Sequence, residues 1–152
     1  MEQSFFLSEM IEEAEEIRLL FRRLEPEKLK ELLSALGDYL FRIQSEGLLH
    51  RDLSDGNILV KKDGDGYVFY LIDTNRIREK KRVGVLRQVK SLVRLGIPRE
   101  FQKYFLKQHF KTDKLPAYIG FWYRFNKMRF TWIIEIKKKL RLKQISQKLK
   151  IQ

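Results

Sequence analysis

His50-Arg51-Asp52-Leu53-Ser54-Asp55-Gly56-Asn57-Ile58-Leu59-Val60 is the stretch on which the fold turns. A polar loop precedes three apolar residues that read as the start of a short strand. Four residues separate Asp52 from Asn57. A loop that turns back on itself over that distance brings a carboxylate and an amide oxygen to one place. Tyr67 to Ile72 is aromatic and β-branched and reads as a second strand. Asp63-Gly64-Asp65-Gly66 joins the two as a hairpin turn, because glycine supplies the positive φ that such turns demand. Leu71-Ile72-Asp73-Thr74-Asn75-Arg76 then sets a further carboxylate, Asp73, at a strand end across the hairpin from Asn57. One carboxylate to orient a hydroxyl and accept its proton, with an oxygen-donor pair for Mg²⁺, is the set that phosphoryl transfer needs.

Upstream, Ser4 to Ile11 reads as a buried strand, and Ile17 to Leu24 as a short helix after the acidic run Glu12 to Glu16. Pro26 suits a first helical turn. From it Leu29, Leu32, Leu33, Leu36, Leu40 and Ile43 recur at steps of three and four, which predicts an amphipathic helix that Gly47 stops. After Arg76 the pattern reads as helical to the end. Helices are expected over Val85 to Leu95, from Pro98 to about Phe110, and onward from Pro116. No internal repeat or flexible linker interrupts the chain.

At 152 residues the chain is long enough for one core and short for two ordinary domains. It contains no cysteine, which excludes disulfides, thiolate zinc sites and a cysteine nucleophile. No secretory signal opens it, and no apolar run reaches the length of a membrane span. The net charge of +12 is uneven: residues 1–75 hold 9 Lys/Arg against 16 Asp/Glu, and residues 76–152 hold 23 against 4. So basic a half points to an anionic partner such as phospholipid, lipopolysaccharide or nucleic acid. Tyr118, Phe121, Trp122, Phe125, Met128, Trp132 and Ile136 form a stripe at helical spacing. That stripe is either core or a membrane-interface face. Lys137, Lys138, Lys139, Arg141 and Lys143, with Lys148 and Lys150 beyond, suit anionic lipid headgroups. No RNA- or DNA-reading motif accompanies them, which places nucleic acid lower.

His-Arg-Asp-Leu-x-x-x-Asn followed by apolar residues resembles the catalytic loop of the protein-kinase superfold. Asp73 then stands at the place of the metal-binding Asp of the Asp-Phe-Gly motif, although Thr74 and Asn75 replace its Phe and Gly. Ser54 also stands where serine/threonine kinases commonly carry Lys. With Ile-Asp-x-x-Arg and the helical stretch after it, the chain is most similar to the bacterial lipopolysaccharide (Kdo/heptose) kinase family over roughly Ser4 to Phe110.

The resemblance implies an α+β, mainly α fold: a kinase-like C-terminal lobe with a small β-hairpin. It implies ATP and Mg²⁺ as cofactors, Asp52 as catalytic base, and Asn57 and Asp73 as metal ligands. Leu59 would floor the adenine pocket, and the backbone of Glu9 and Ile11 would meet adenine. His50 would pack rather than titrate, with Arg51 and Arg76 as supporting residues. Residues 1–11 would be the hinge strand, 12–110 the catalytic core, and 111–152 a basic helical extension. No glycine-rich loop, strand lysine or helix glutamate precedes the hinge, so the N-terminal lobe is missing from this chain. The implied activity is phosphorylation of a sugar hydroxyl of lipopolysaccharide core at the cytoplasmic face of the inner membrane. Two alternatives stand beside it: a degenerate kinase-like module that binds an anionic membrane or partner without catalysis, and a small-molecule or protein kinase of the same superfold.

Overall fold

The computed structural model describes the backbone of residues 11–149 and the side chains of residues 11–140. Its elements run β1 (Glu15–Glu16), α1 (Ile17–Arg23), α2 (Pro26–Ser45), β2 (Leu48–His50), β3 (Ile58–Asp63), β4 (Gly66–Leu71), β5 (Ile77–Glu79), α3 (Val85–Leu92), α4 (Gln102–His109) and α5 (Ala117–Leu149). Single 3₁₀ turns at Thr74–Arg76 and Arg99–Phe101 precede β5 and α4. The architecture is thus mixed and mainly helical, as the sequence implies. Of the expected hinge strand, only Ile11 falls among the described residues, and it lies in irregular backbone.

Helix α2 is the axis of the core. Pro26 occupies its first turn, where the missing N–H costs nothing. Leu32, Leu33, Leu36 and Leu40 are fully buried along one face. The helix ends at Glu46, and Gly47 turns the chain out of it at φ +86°. Helix α4 packs across α2 so closely that a Cβ at Gly37 would come within 3.0 Å of the His109 amide nitrogen.

Two small antiparallel sheets flank this helical core. In the first, β3 pairs with β4 from Ile58↔Leu71 to Asp63↔Gly66, and β1 adds to its far edge. The loop shrinks to Gly64-Asp65, with Gly64 at φ +55°, so both strands reach one residue into the expected turn. Ile58, Val60 and Phe69 face the core, while Leu59 takes the opposite, half-buried face.

The second sheet corrects the sequence reading. Residues 77–79 form strand β5, paired with β2 from Leu48↔Glu79 to His50↔Ile77, instead of starting a helix. The partner strand lies far upstream, so local periodicity carries no sign of the pairing. Helix α3 also stops at Leu92 rather than Leu95. Helix α5 decides between the two readings of the aromatic stripe. The aromatic stripe is not its core face: Tyr118, Phe121, Phe125, Met128 and Trp132 are exposed, while Ile119, Tyr123 and Asn126 are buried. Both faces repeat at helical spacing, and the buried one includes a polar Asn, so periodicity alone does not tell them apart.

Candidate active site

The loop between β2 and β3 carries Asp52 and Asn57, and it is built on one histidine. His50 is 4% exposed. The backbone N–H of Asp52 donates to His50 Nδ1 at 3.1 Å, and His50 Nε2 lies 3.2 Å from the Ile72 carbonyl oxygen. Because Nδ1 accepts, the proton sits on Nε2 and is donated to Ile72. One imidazole thus ties the Asp52 loop to the residue before Asp73.

Three further bonds close the arrangement. Asn57 Nδ2 donates to the Asp52 carbonyl oxygen at 2.8 Å, and the Ile72 N–H donates to the Asn57 carbonyl oxygen at 3.1 Å. The Arg51 N–H donates to the Arg76 carbonyl oxygen at 3.0 Å. Leu53 is buried beneath the loop and anchors it. Asn57 is thereby held beside the backbone that leads to Asp73, with its amide nitrogen used and its amide oxygen left over.

Asp73 has φ 59° and ψ 46°, the left-handed region. For a non-glycine residue that conformation is uncommon, and such strain concentrates at functional positions. Arg76 Nε meets Asp73 Oδ2 at 3.3 Å, leaving Oδ1 free of that pair. An amide oxygen and a carboxylate oxygen suit a hard divalent cation, which prefers oxygen donors. Among the described residues no cluster of three or more His, Cys, Asp or Glu side chains forms a self-sufficient metal cage.

Arg94 was not foreseen. Its guanidinium pairs with Asp52 Oδ1 and lies over the Phe130 ring, 5.3 Å from the centroid. It comes from the turn after α3, far from the loop in sequence, and no local motif marks it. The one signal in the sequence was negative: Ser54 stands where serine/threonine kinases commonly carry Lys. On the far side of the same turn, Lys127 Nζ donates to the Val93 and Leu95 carbonyl oxygens, at 2.7 Å each. Burial pulls the Lys127 ammonium below its usual range, and the Asp55 charge opposes the shift.

The remaining expected residues are placed less tellingly. Ile11 lines a cavity of about 370 Å³ together with His50, Tyr70 and Ile72. Leu59 faces the same side of the hairpin as its cross-strand neighbour Tyr70. Glu9, and the side chains of Arg141 and Lys143, lie outside the described residues. Lys137, Lys138 and Lys139 project from α5 into solvent. A larger concavity of about 760 Å³ lies between α4 and α5, away from Asp52, and is rimmed by Arg99, Lys103 and Arg124. Among the described residues no helix is long and apolar enough to cross a membrane.

A helical lobe bearing a hairpin, with a His-Arg-Asp loop tied to a strand-end Asp, defines a kinase-like phosphotransferase scaffold. Residues 1–113 match the model of the lipopolysaccharide kinase (Kdo/WaaP) family, and the chain belongs to that family. No curated protein matches the chain. Among solved structures it is similar to "WaaP in complex with acyl carrier protein", with a TM-score of 0.59 at 18% identity. That match covers 86% of this chain and 59% of the other, so the likeness is one of fold over part of a longer protein.

Proposed function

We propose that this chain is the C-terminal, catalytic-loop lobe of an ATP- and Mg²⁺-dependent kinase acting on a sugar hydroxyl of lipopolysaccharide core, Kdo or heptose. The observation that carries the reading is the His50 bridge, which binds the Asp52 loop to the Ile72–Asp73 strand end. Asp52 aligns the acceptor hydroxyl and takes its proton through the oxygen that Arg94 leaves free. Asn57 and Asp73 hold Mg²⁺, which when bound would neutralise charge on the nucleotide phosphates. Leu59 would floor the adenine pocket, with Ile11 and Glu9, the latter outside the described residues, as the groups that would meet the base. His50, Arg51 and Arg76 keep loop and strand end in register.

Glycine-rich-loop and strand-lysine contacts to the phosphates are not encoded in these 152 residues. On its own the chain therefore binds Mg-ATP weakly and transfers phosphate slowly. The site of action is the cytoplasmic face of the inner membrane. There Lys137, Lys138, Lys139, Arg141 and Lys143 meet anionic lipid or the lipopolysaccharide precursor itself. The exposed aromatic face of α5 favours a second reading, a module that docks on an anionic surface without catalysis.

Transfer of labelled phosphate from ATP to a Kdo- or heptose-bearing core acceptor separates the two. The kinase reading expects label on the sugar, and a loss of about 10²- to 10⁴-fold in Asp52→Asn. Transfer that is unchanged in Asp52→Asn contradicts it.

A further inference from the structure

We infer that Arg94 is the positioning residue for Asp52 and that helix α5 sets its place, which makes α5 part of the transfer machinery rather than an appended tail. The inference rests on the kinase reading above and adds a component to it. Between Asp52 and Asn57 the loop carries two carboxylates, Asp52 and Asp55, and no cation. Such a loop repels an incoming polyphosphate and leaves the base free to rotate. Arg94 answers both needs, pairing with Asp52 Oδ1 through a planar, permanently charged guanidinium.

Arg94 does not hold itself there. The turn that bears it follows the C-terminus of α3, where carbonyl groups lack helical partners. Lys127 fills that gap with charge-assisted bonds to the Val93 and Leu95 carbonyl oxygens, one on each side of Arg94. Phe130, one turn further along α5, stacks beneath the guanidinium. Lys127 and Phe130 stand three residues apart and share a helix face. On the opposite side, any Cβ at Gly96 would collide with the Asp55 carboxylate, so the turn lies directly on the catalytic loop. The order is therefore α5, then the 93–96 turn, then Asp52. Both α5 residues fall beyond the 113 residues that the family model matches.

The test uses the whole chain and two readouts. The first is the low-temperature ¹⁵N spectrum of the arginine Nη–H groups, which include the Nη1 that meets Asp52, with the Arg94 signals assigned by their loss in Arg94→Lys. They should be protected from solvent exchange in the wild type. That protection should fall at least about tenfold in Asp52→Ala, in Lys127→Met and in Phe130→Ala, as loss of about 1.4 kcal/mol of bonding implies. Unchanged protection in Asp52→Ala, or in both α5 variants, overturns the inference. Thermal melts identify a variant that fails to fold, and the other α5 variant then decides.

The second readout is single-turnover transfer from ATP to a core acceptor. Arg94→Ala, Lys127→Met and Phe130→Ala should each lower the rate about 10- to 100-fold while leaving ATP affinity within about twofold. Arg94→Lys should recover part of the loss. A full rate in Arg94→Ala overturns the inference even if the ion pair exists. A wild type that transfers nothing instead overturns the kinase reading, and the arginine spectrum still decides whether α5 holds Arg94 on Asp52.

Discussion

At the scale of single residues, the site depends on groups that make two bonds in opposite directions. His50 accepts from Asp52 and donates to Ile72, and Asn57 uses its amide nitrogen while keeping its oxygen. His50→Ala would remove a buried ring and leave the part-buried Asp52 N–H and Ile72 carbonyl without partners. The expected cost is about 2–4 kcal/mol, read as a lower urea midpoint with an unchanged slope. A loss under about 0.5 kcal/mol would mean that water replaces the ring. That the Asp52 loop and the Asp73 strand end lie side by side was legible from the motif order, and the roles proposed for Asp52, Asn57 and Asp73 follow from the residue types that phosphoryl chemistry demands. Arg94 was not legible, because an ion pair closed across tertiary structure leaves no periodic trace in the chain.

At the scale of elements, turns and caps were legible where backbone conformation dictates the residue. Gly47 is one such position. It sits at φ +86°, and any Cβ would strike the Lys80 carbonyl, whose own N–H donates to the Gly47 carbonyl at 3.0 Å. Gly47→Ala should therefore destabilise by at least about 2 kcal/mol, measured by thermal or urea melts, and loosen β2 against β5. The β2–β5 pair itself escaped the sequence reading, since strands of three residues carry too little pattern. Helix α5 was left open for a different reason: Tyr118, Phe121, Phe125 and Trp132 face solvent, while Tyr123 and a buried Asn face the core at the same spacing. That outward face, together with Lys137, Lys138 and Lys139, gives the lipid reading its test. Each basic group near an anionic bilayer adds up to about 1 kcal/mol of attraction that salt screens. Sedimentation with anionic vesicles should recover the chain, and changing those three lysines to Gln should weaken recovery about tenfold or more. Equal recovery with neutral vesicles would contradict an electrostatic dock.

At the scale of the whole molecule, stability and chemistry rest on different histidines. His109 is fully buried among Phe41, Phe105 and Phe110, and neither ring nitrogen has a hydrogen-bond partner. Burial lowers its pKa to about 4, and the nearby Gly37 backbone opposes this only weakly, since no bond geometry is met. The unfolded chain takes up the proton near pH 6.5 and the folded chain only near 4. Its stability is thus fully present above 6.5 and declines as pH falls through that window, by about 3 kcal/mol. His109→Phe should flatten this part of the stability–pH curve, and equal slopes in the two proteins would contradict the assignment. The central claim, that Asn57 and Asp73 form a nucleotide-bound metal site beside the Asp52 base, is tested most directly by Mg-ATP affinity. It should be measured by calorimetry with and without Mg²⁺ in the wild type, Asp52→Asn and Asp73→Asn. Binding should be weak but Mg²⁺-dependent, within about threefold of wild type in Asp52→Asn, and at least about tenfold weaker in Asp73→Asn, which loses a charged ligand. Affinity that ignores Mg²⁺, or that survives Asp73→Asn unchanged, would contradict the account.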